Sequence, residues 1–417
     1  VRMQPLAGTA QRLEAGLPQQ AADFYTQYGR CQRMLGQAYA AQQWYERAIA
    51  LRRDVLHDDV GVAEGMIDLA ALESDAARTG PGIARFLAAQ RLLHGQLADR
   101  HPLMVDIQRS LGALYLDRGQ AAEAERTLRA GLALSMELHG PGHPFTLAVR
   151  RQLGQAYLQL GRLAEAEQAL QAQHGPTESL LGPRHRETAL SLDALGRLAL
   201  ERGDADAALV HFQRAVQVWR QPDGRHLLDY GLVDLARAQQ ARGQSTAARA
   251  TLAEARRLRI ARLGASHAAV GDLDRRMGEM LLDAGQVDAA LPWLERGNQL
   301  TAIGYGQNDP RTWQAQLALA RWQAAKGDGS DALERFAAAL PGTDAALAPL
   351  GWLARAYAAQ VLCGTGDTTT GGRRLRALDA ELRSARPEGG SLSREVHALA
   401  AACHARPDAA PRATAAR

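Results

Sequence analysis

Leu111-Gly-Ala-Leu-Tyr-Leu-Asp-Arg-Gly119 runs into Ala122-Glu-Ala-Glu-Arg-Thr-Leu128, and 42 residues later Leu153-Gly-Gln-Ala-Tyr-Leu-Gln-Leu-Gly161 runs into Ala164-Glu-Ala-Glu-Gln-Ala-Leu170. Each stretch places a small residue, a glycine seven positions on, an alanine five beyond it and a bulky apolar residue four further. Working outward, the same glycine recurs at Gly119, Gly161, Gly203, Gly243, Gly285, Gly327 and Gly366, at steps of 42, 42, 40, 42, 42 and 39 residues. The small column reads Gly112, Gly154, Gly196, Ala236, Gly278 and Ala320, and the alanine column Ala124, Ala166, Ala208, Ala248, Ala290 and Ala332. The bulky column reads Leu128, Leu170, Phe212, Leu252, Leu294 and Phe336. A fixed period of this length marks a repeat array. Small residues let two helices approach, the turn glycine takes the positive φ that ends the first helix, and the bulky column fills the gap between stacked hairpins. These spacings predict helices over most of the chain, no strand longer than a bridge, and turns at the seven glycines.

A second phrase precedes the first helices: Leu138-His-Gly-Pro-Gly-His-Pro-Phe-Thr146, Leu181-Gly-Pro-Arg-His-Arg-Glu-Thr188, Leu263-Gly-Ala-Ser-His267 and Tyr305-Gly-Gln-Asn-Asp-Pro310. The array resembles the tetratricopeptide repeat over residues 102–340, and its period and LGxxHPxT linker are similar to the kinesin-light-chain subclass. The resemblance implies an all-α fold, an α-solenoid in which helical hairpins form a right-handed superhelix. The expected organisation is an N-terminal segment at 1–20, two irregular hairpins at 21–98, six regular units at 99–344, a degenerate hairpin and capping helix at 345–406, and a disordered tail at 407–417. Residues 21–56 read as a hairpin through Leu35-Gly-Gln-Ala-Tyr39 without its turn glycine. In residues 61–98 the turn reads as loosened around Gly80-Pro-Gly82. Beyond residue 345 the hairpin reads as interrupted by Gly364-Thr-Gly-Asp-Thr-Thr-Thr-Gly-Gly372, ahead of an amphipathic helix near 391–404.

Composition narrows the function classes. The 417 residues are 46% hydrophobic and 23% charged, which excludes disorder as the main state, and the 5% aromatic content argues against a β-sandwich. A net charge of +4, from 49 basic against 45 acidic residues, leaves no nucleic-acid footprint. No apolar run is long enough to span a membrane and the start lacks the regions of a signal peptide, so the fragment reads as soluble. It begins at Val1 and is expected to be excised from something longer, through which it could be tethered to a membrane. Cys31, Cys363 and Cys403 form no CxxC pair, which excludes a disulfide framework and a standard zinc site. They read as inert buried thiols, with Cys363 and Cys403 the only pair within one repeat length.

Candidate chemistry is sparse. His101, His143, His185, His226 and His267 recur in the linkers, but equivalent positions of successive repeats lie roughly 10 Å apart, too far to share a metal. They read as structural, with His-Pro starting the next helix. His185-Arg-Glu187 lacks the Pro-Cys-x-x-Cys partner of a deaminase site. Gly80-Pro-Gly82, Gly140-Pro-Gly142 and Gly327-Asp-Gly329 lack a phosphate-binding frame. GxSxG, HExxH and kinase signatures are missing from the sequence. Neither catalytic residue, metal nor cofactor is expected. The six tryptophans read as packing residues, and Glu123, Glu125, Glu165 and Glu167 as solvated faces.

In tetratricopeptide arrays the first helices line the concave face, through positions three before and one after the small column. Those positions lie four apart and so share a helical face. The first row reads Arg109, Arg151, Asp193, Val233, Arg275 and Leu317, and the second Ala113, Gln155, Arg197, Arg237, Glu279 and Arg321. Six arginines face two acids, a groove charge of +4 on positions that otherwise read as solvated. The candidate groove residues are Arg109, Arg151, Gln155, Asp193, Arg197, Arg237, Arg275, Glu279 and Arg321. Arginine favours planar acceptors held by two hydrogen bonds, so the expected partner is a protein or peptide segment bearing Asp or Glu. Two departures stand out. The paired asparagines with which kinesin light chains hold cargo are replaced by Arg109-Ser110, Arg151-Gln152 and Asp193-Ala194. The lysines and asparagines of the co-chaperone carboxylate clamp are nearly absent, with Lys326 the single lysine and Asn298 and Asn308 the asparagines.

The expected function is therefore non-enzymatic peptide recognition. The resemblance implies fusion to a bacterial signalling module, notably a membrane serine/threonine kinase whose repeats form a periplasmic sensor. A second reading is a cytoplasmic regulator or assembly scaffold, including a receptor for signalling peptides. A third is an enzyme with an unrecognised site.

Overall fold

A computed structural model describes residues 14–75, 79–96, 100–342 and 345–404. Among these residues there is no strand, and 19 α-helices follow one another. They pair as hairpins: α1 (Pro18–Met34) with α2 (Ala38–Leu51), α3 (Asp59–Asp75) with α4 (Thr79–Gln96), α5 (Pro102–Asp117) with α6 (Ala121–His139), and α7 (Pro144–Leu160) with α8 (Leu163–Leu181). Next come α9 (Arg186–Arg202) with α10 (Ala205–Trp219), α11 (Leu228–Ala241) with α12 (Ser245–Leu263), and α13 (Ala268–Asp283) with α14 (Val287–Tyr305). Then α15 (Pro310–Gln323) pairs with α16 (Asp331–Ala339) and α17 (Ala348–Thr365) with α18 (Thr368–Ala385), before a single helix, α19 (Ser391–His404). The chain divides into two compact units, residues 1–117 with 123–149 and residues 118–122 with 150–417.

The columns do what their chemistry predicts. All seven turn glycines adopt positive φ, from 69° at Gly119 to 125° at Gly327. In the small column a Cβ on Gly154 would stand 2.6 Å from Leu170, and one on Gly196 2.6 Å from the Phe212 ring, both bulky residues being fully buried. Gly, not merely a small residue, is what lets these pairs touch. Trp219 packs the same way, fully buried over the place where Gly231 has no side chain.

The linker phrase is a capping device. The Nδ1 of His101, His143, His185 and His267 accepts the backbone N–H two residues on, at 3.1 to 3.3 Å, and Asp309 takes the same role at 2.9 Å. A side-chain acceptor here satisfies one of the donors that a helix start leaves unpaired. Thr146, Thr188 and Thr312 donate back to the carbonyls of Gly140, Gly182 and Gly306. His226 differs: it lies in a 3-10 turn, Pro222–Leu227, and caps nothing in this manner.

The ends of the array hold the repeat better than the sequence reading expected. Gly36 has φ +73° and is itself the turn between α1 and α2. The small residue is Gly29, seven positions earlier and 2.7 Å from Tyr45 by its missing Cβ, and Ala41 completes the pattern. Gly80-Pro-Gly82 does not form a turn; it lies in the first turn of α4. In the last hairpin the turn is Gly366, at φ 104°, with Asp367 capping α18, while Gly371 and Gly372 sit inside that helix. Ala359, Gly371 and Leu375 occupy the three other columns. The expected disorder of Pro407–Arg417 lies outside the described residues.

Cys363 and Cys403 form a disulfide joining α17 to α19, with Cα atoms 5.4 Å apart. This corrects the reading of both as inert thiols; Cys31 is free and half-buried.

The second unit also returns upon itself. Arg386 donates to the carbonyls of Leu158 (3.4 Å) and Gln159 (3.2 Å) at the end of α7, and Arg394 to those of Leu200 and Glu201 at the end of α9. Glu388 accepts from the N–H of Ala164 at 2.6 Å, at the start of α8, and Glu201 accepts from the N–H and hydroxyl of Ser391, each at 2.8 Å. Cations thus meet the carbonyl ends of helices and anions the N–H ends, the arrangement that both orphan groups and helix dipoles favour.

Candidate functional site

The candidate positions fall in both units. Arg109 belongs to the first, where it pairs with Asp106 one turn earlier on α5, at 3.4 Å. Arg151, Gln155, Asp193, Arg197, Arg237, Arg275, Glu279 and Arg321 all belong to the second. There the first helices α9, α11 and α13 bring their charges together.

The centre of this network is Asp234, 5% exposed, a residue the sequence reading passed over. Arg197 reaches across from α9 and donates to it at 2.6 Å, and Arg237 donates to it from one turn on along α11 at 2.9 Å. Arg197 also pairs with Asp193 at 3.0 Å. On α13, Arg275 donates to Glu279 at 2.6 Å. On α15, Arg321 donates to Asp283 at 2.8 Å and lies over the Tyr357 ring, 4.3 Å from its centroid, while the Tyr357 hydroxyl donates to Glu395 of α19.

Two expectations need correction. Half of the row three before the small column is not solvated: Asp193 (4%), Arg275 (6%) and Leu317 (5%) are buried, while Arg109, Arg151 and Val233 are half-buried. Nor do the arginines stand against only two acids, because Asp106, Asp234 and Asp283, outside the two rows, take up Arg109, Arg197, Arg237 and Arg321. Changing Arg197 to glutamate would set its carboxylate beside Asp193 and Asp234, so this position is not a neutral place for a charge reversal. The row one after the small column, with Gln155, Arg197, Arg237, Glu279 and Arg321, is half-buried and forms the accessible edge of the network.

The electrostatics follow from burial. Burial pushes the Asp193 carboxyl up to about 6, with Asp234 adding to the rise and Arg197 opposing it. Asp234 is equally buried, yet Arg197 and Arg237 hold it below the usual carboxylate range. Arg276 is the second residue missed. Burial lowers its guanidinium to about 10, and Arg275 and Arg237 push the same way, against Glu279 and Asp234. A signal for both was available: Asp234 and Arg276 stand two before the small column in successive repeats, where other units carry Ser110, Gln152, Ala194 and Ala318.

Among the described residues no group of three His, Cys, Asp or Glu side chains is placed to hold a metal ion. No described helix is long and apolar enough to cross a membrane. The arrangement offers planar guanidiniums and a few buried carboxylates, which suits recognition of polar and charged chain segments.

Sequence models of the tetratricopeptide repeat match residues 22–55, 103–172 and 188–221. No curated protein matches the chain. Among solved structures, a Rap protein in complex with competence and sporulation factor is similar with a TM-score of 0.60 at 9% identity, over 92% of this chain and 99% of that one, a likeness of fold alone. A tetratricopeptide repeat protein from Parabacteroides merdae gives 0.46 at 14% identity, over 72% of this chain and 99% of that one. BtubC (BKLC) from P. vanneervenii gives 0.42 at 21% identity, over 56% of this chain and 92% of that one. The family is a non-catalytic protein-interaction module, and its hairpins recur here with their columns of small, turn and bulky residues: this chain is a tetratricopeptide-repeat array.

Proposed function

We propose that the array recognises an extended acidic peptide or protein segment on the first helices of its second unit, and that it is the ligand-sensing, extracytoplasmic part of a bacterial signalling protein such as a membrane serine/threonine kinase. The observation that carries the binding reading is the charged network of α9 and α11, where the Arg197 and Arg237 guanidiniums reach an accessible edge while their carboxylate partners, Asp193 and Asp234, are buried beneath them. Buried acids hold the arginines in fixed positions, which lowers the ordering cost of capturing a carboxylate. The Rap protein above was solved with competence and sporulation factor, which supports this fold as a receptor scaffold for a signalling factor.

The Cys363–Cys403 disulfide supports the compartment, since such bonds persist in oxidising surroundings such as the periplasm and are rare in the cytosol. The second reading, a cytoplasmic regulator or scaffold, differs on this point. Trapping thiols with a maleimide in intact cells separates the two: protection of Cys363 and Cys403 until reductant is added supports the extracytoplasmic assignment, and immediate labelling sinks it. For binding, a library of acidic and neutral peptides screened at two salt concentrations should retain acidic members that release as salt rises, because exposed attractions are screened over about 8 Å at physiological ionic strength. Retention indifferent to both acidity and salt would overturn the acidic reading.

A further inference from the structure

The loop between α18 and α19 grips three helix ends at once. It turns through Gly389 and Gly390, at φ 78° and 112°. On its two sides Arg386 holds the carbonyl end of α7, Glu388 the N–H end of α8, and Arg394 the carbonyl end of α9, with Ser391 on Glu201. The turn glycines lie directly beneath: a Cβ on Gly161 would stand 2.6 Å from the Arg386 Nε, and one on Gly203 3.0 Å from that of Arg394. At the equivalent turns Gly243 and Gly285 a Cβ would meet nothing within 4 Å among the described residues.

This grip is polar and mostly exposed. The backbone groups it takes up are those that a helix end leaves unpaired, and at an exposed end water satisfies them too, so letting go strands few of them. At α8 the N-cap residue Arg162 offers no side-chain acceptor and Glu388 supplies one from outside, whereas α10 is capped by its own Asp204. Engagement also carries a cost, because the buried Nε of Arg386 has no acceptor. The two sides keep separate cores: Leu375, Leu378, Leu382 and Val396 pack within α17 to α19, while Leu192 of α9 belongs to a cluster with Phe212 of α10. The Cys363–Cys403 disulfide ties α19 to α17 independently of the loop.

We propose that Arg386–Arg394 is a releasable latch: engaged, it closes the second unit upon itself, and released, it lets α17 to α19 part from the ends of α7, α8 and α9 with both cores intact. This goes beyond peptide recognition and does not depend on it. One loop holding α7 and α9 together fixes their spacing, and these helices carry Arg151, Gln155, Asp193 and Arg197, so the state of the latch sets the spacing of those side chains.

The test uses the full chain with its disulfide intact and compares wild type with R386Q/R394Q. Hydrogen exchange first follows the amides of Ala164 and Ser391. Both should exchange about tenfold faster in the double variant, the scale of one hydrogen bond to a charged group, while the middles of α9 and α18 keep wild-type protection. Raising the salt should produce the same change in wild type and little in the variant, because attraction between charges and helix ends is screened. Loss of protection through α17 and α18 in the variant would make the loop a permanent brace and overturn the latch; unchanged exchange at Ala164 and Ser391 would overturn it as well. The second measurement reads the distance between nitroxides on Gln168→Cys of α8 and Ser384→Cys of α18, in a Cys31→Ser background. Wild type should show an engaged distance and a longer one that grows with salt, and the longer one should dominate in R386Q/R394Q. The salt series on wild type decides the question even where the double variant folds poorly: a single distance at every salt concentration overturns the proposal.

Discussion

The first hairpin and the last three helices solve the same problem in opposite ways. In each, a helical hairpin has an apolar face to bury. At α1 and α2 the answer is aromatic: Trp44 stacks on Tyr25 at 5.3 Å and meets Tyr28 edge-on at 5.1 Å, and Tyr25 and Tyr45 are fully buried. Arg52, 4% exposed, closes the hairpin by donating to Asp23 at 2.8 Å. At α17 to α19 the core is aliphatic, with Leu375, Leu378, Leu382 and Val396, and stability is gathered by cross-links: the disulfide, the hydrogen bonds that Arg386, Ser391 and Arg394 donate, and the one that Glu388 accepts, all with helices some 190 to 228 residues away. A large ring buries enough area to hold a hairpin locally. A leucine and alanine core of the same length needs covalent and long-range support.

The largest test of this contrast is Cys403→Ser. Closing a loop of sequence separation 40 is worth about 4 kcal/mol in the chain-entropy account. Hydrogen exchange should show α19 losing protection while α1 and α2 keep theirs; unchanged protection in α19 would mean that the hydrogen bonds alone suffice. Next comes Trp44→Ala, expected to cost about 3 kcal/mol as a large aromatic truncation. The loss should be confined to α1 and α2 and be the same with or without reductant. A smaller effect is expected from Gly203→Ala. Its φ of 84° costs an L side chain roughly 1–2 kcal/mol, and the new Cβ would press within 3.0 Å of Arg394, so α19 should loosen along with α9. Loss of protection at α9 alone would break the link between the two.

The smallest effect concerns Asp193, which belongs to neither end. Burial holds its folded-state carboxyl at about 6, above the unfolded value near 3.9. Between those values the folded chain keeps a proton that the unfolded chain has lost, so this group's stabilisation is complete below pH 4 and is lost as pH rises through 6. Asp193→Asn should flatten that part of the pH–stability profile. A slope unchanged between pH 4 and 7 would place the titration elsewhere.

Much of this architecture was legible residue by residue. Gly119 through Gly366, the small column and the bulky column are local requirements: a turn needs positive φ within the hairpin, and two helices joined by a short turn must touch at fixed offsets. The linker histidines were legible as structural, although the imidazole cap itself appeared only with the backbone around it. The reading failed where one letter served two roles. Gly36 looked like a small-column residue, with Leu35 before it and Tyr39 after it, because Leu-Gly-x-Ala-Tyr occurs in true first helices. Gly80-Pro-Gly82 looked like a loosened turn and Gly364 to Gly372 like an interruption, yet Gly82 and Gly371 fill the alanine column, and at Gly371 a close neighbour forbids a side chain: a Cβ there would stand 2.4 Å from the Cys363 sulfur.

By itself the sequence determined the hairpin, its period and the presence of charge on the first helices, because each depends on residues within a few turns of one another. Only the tertiary structure decided which charges meet. Arg197 finds Asp234 across 37 residues, and Arg394 finds the end of α9 across 193, through the rotation of one helix against another and the return of the second unit upon itself. Periodicity carries no record of either. A repeat pattern reports which face of a helix is apolar, and that constraint is satisfied equally well by many rotations; the partner of a polar side chain is settled only when packing selects one of them.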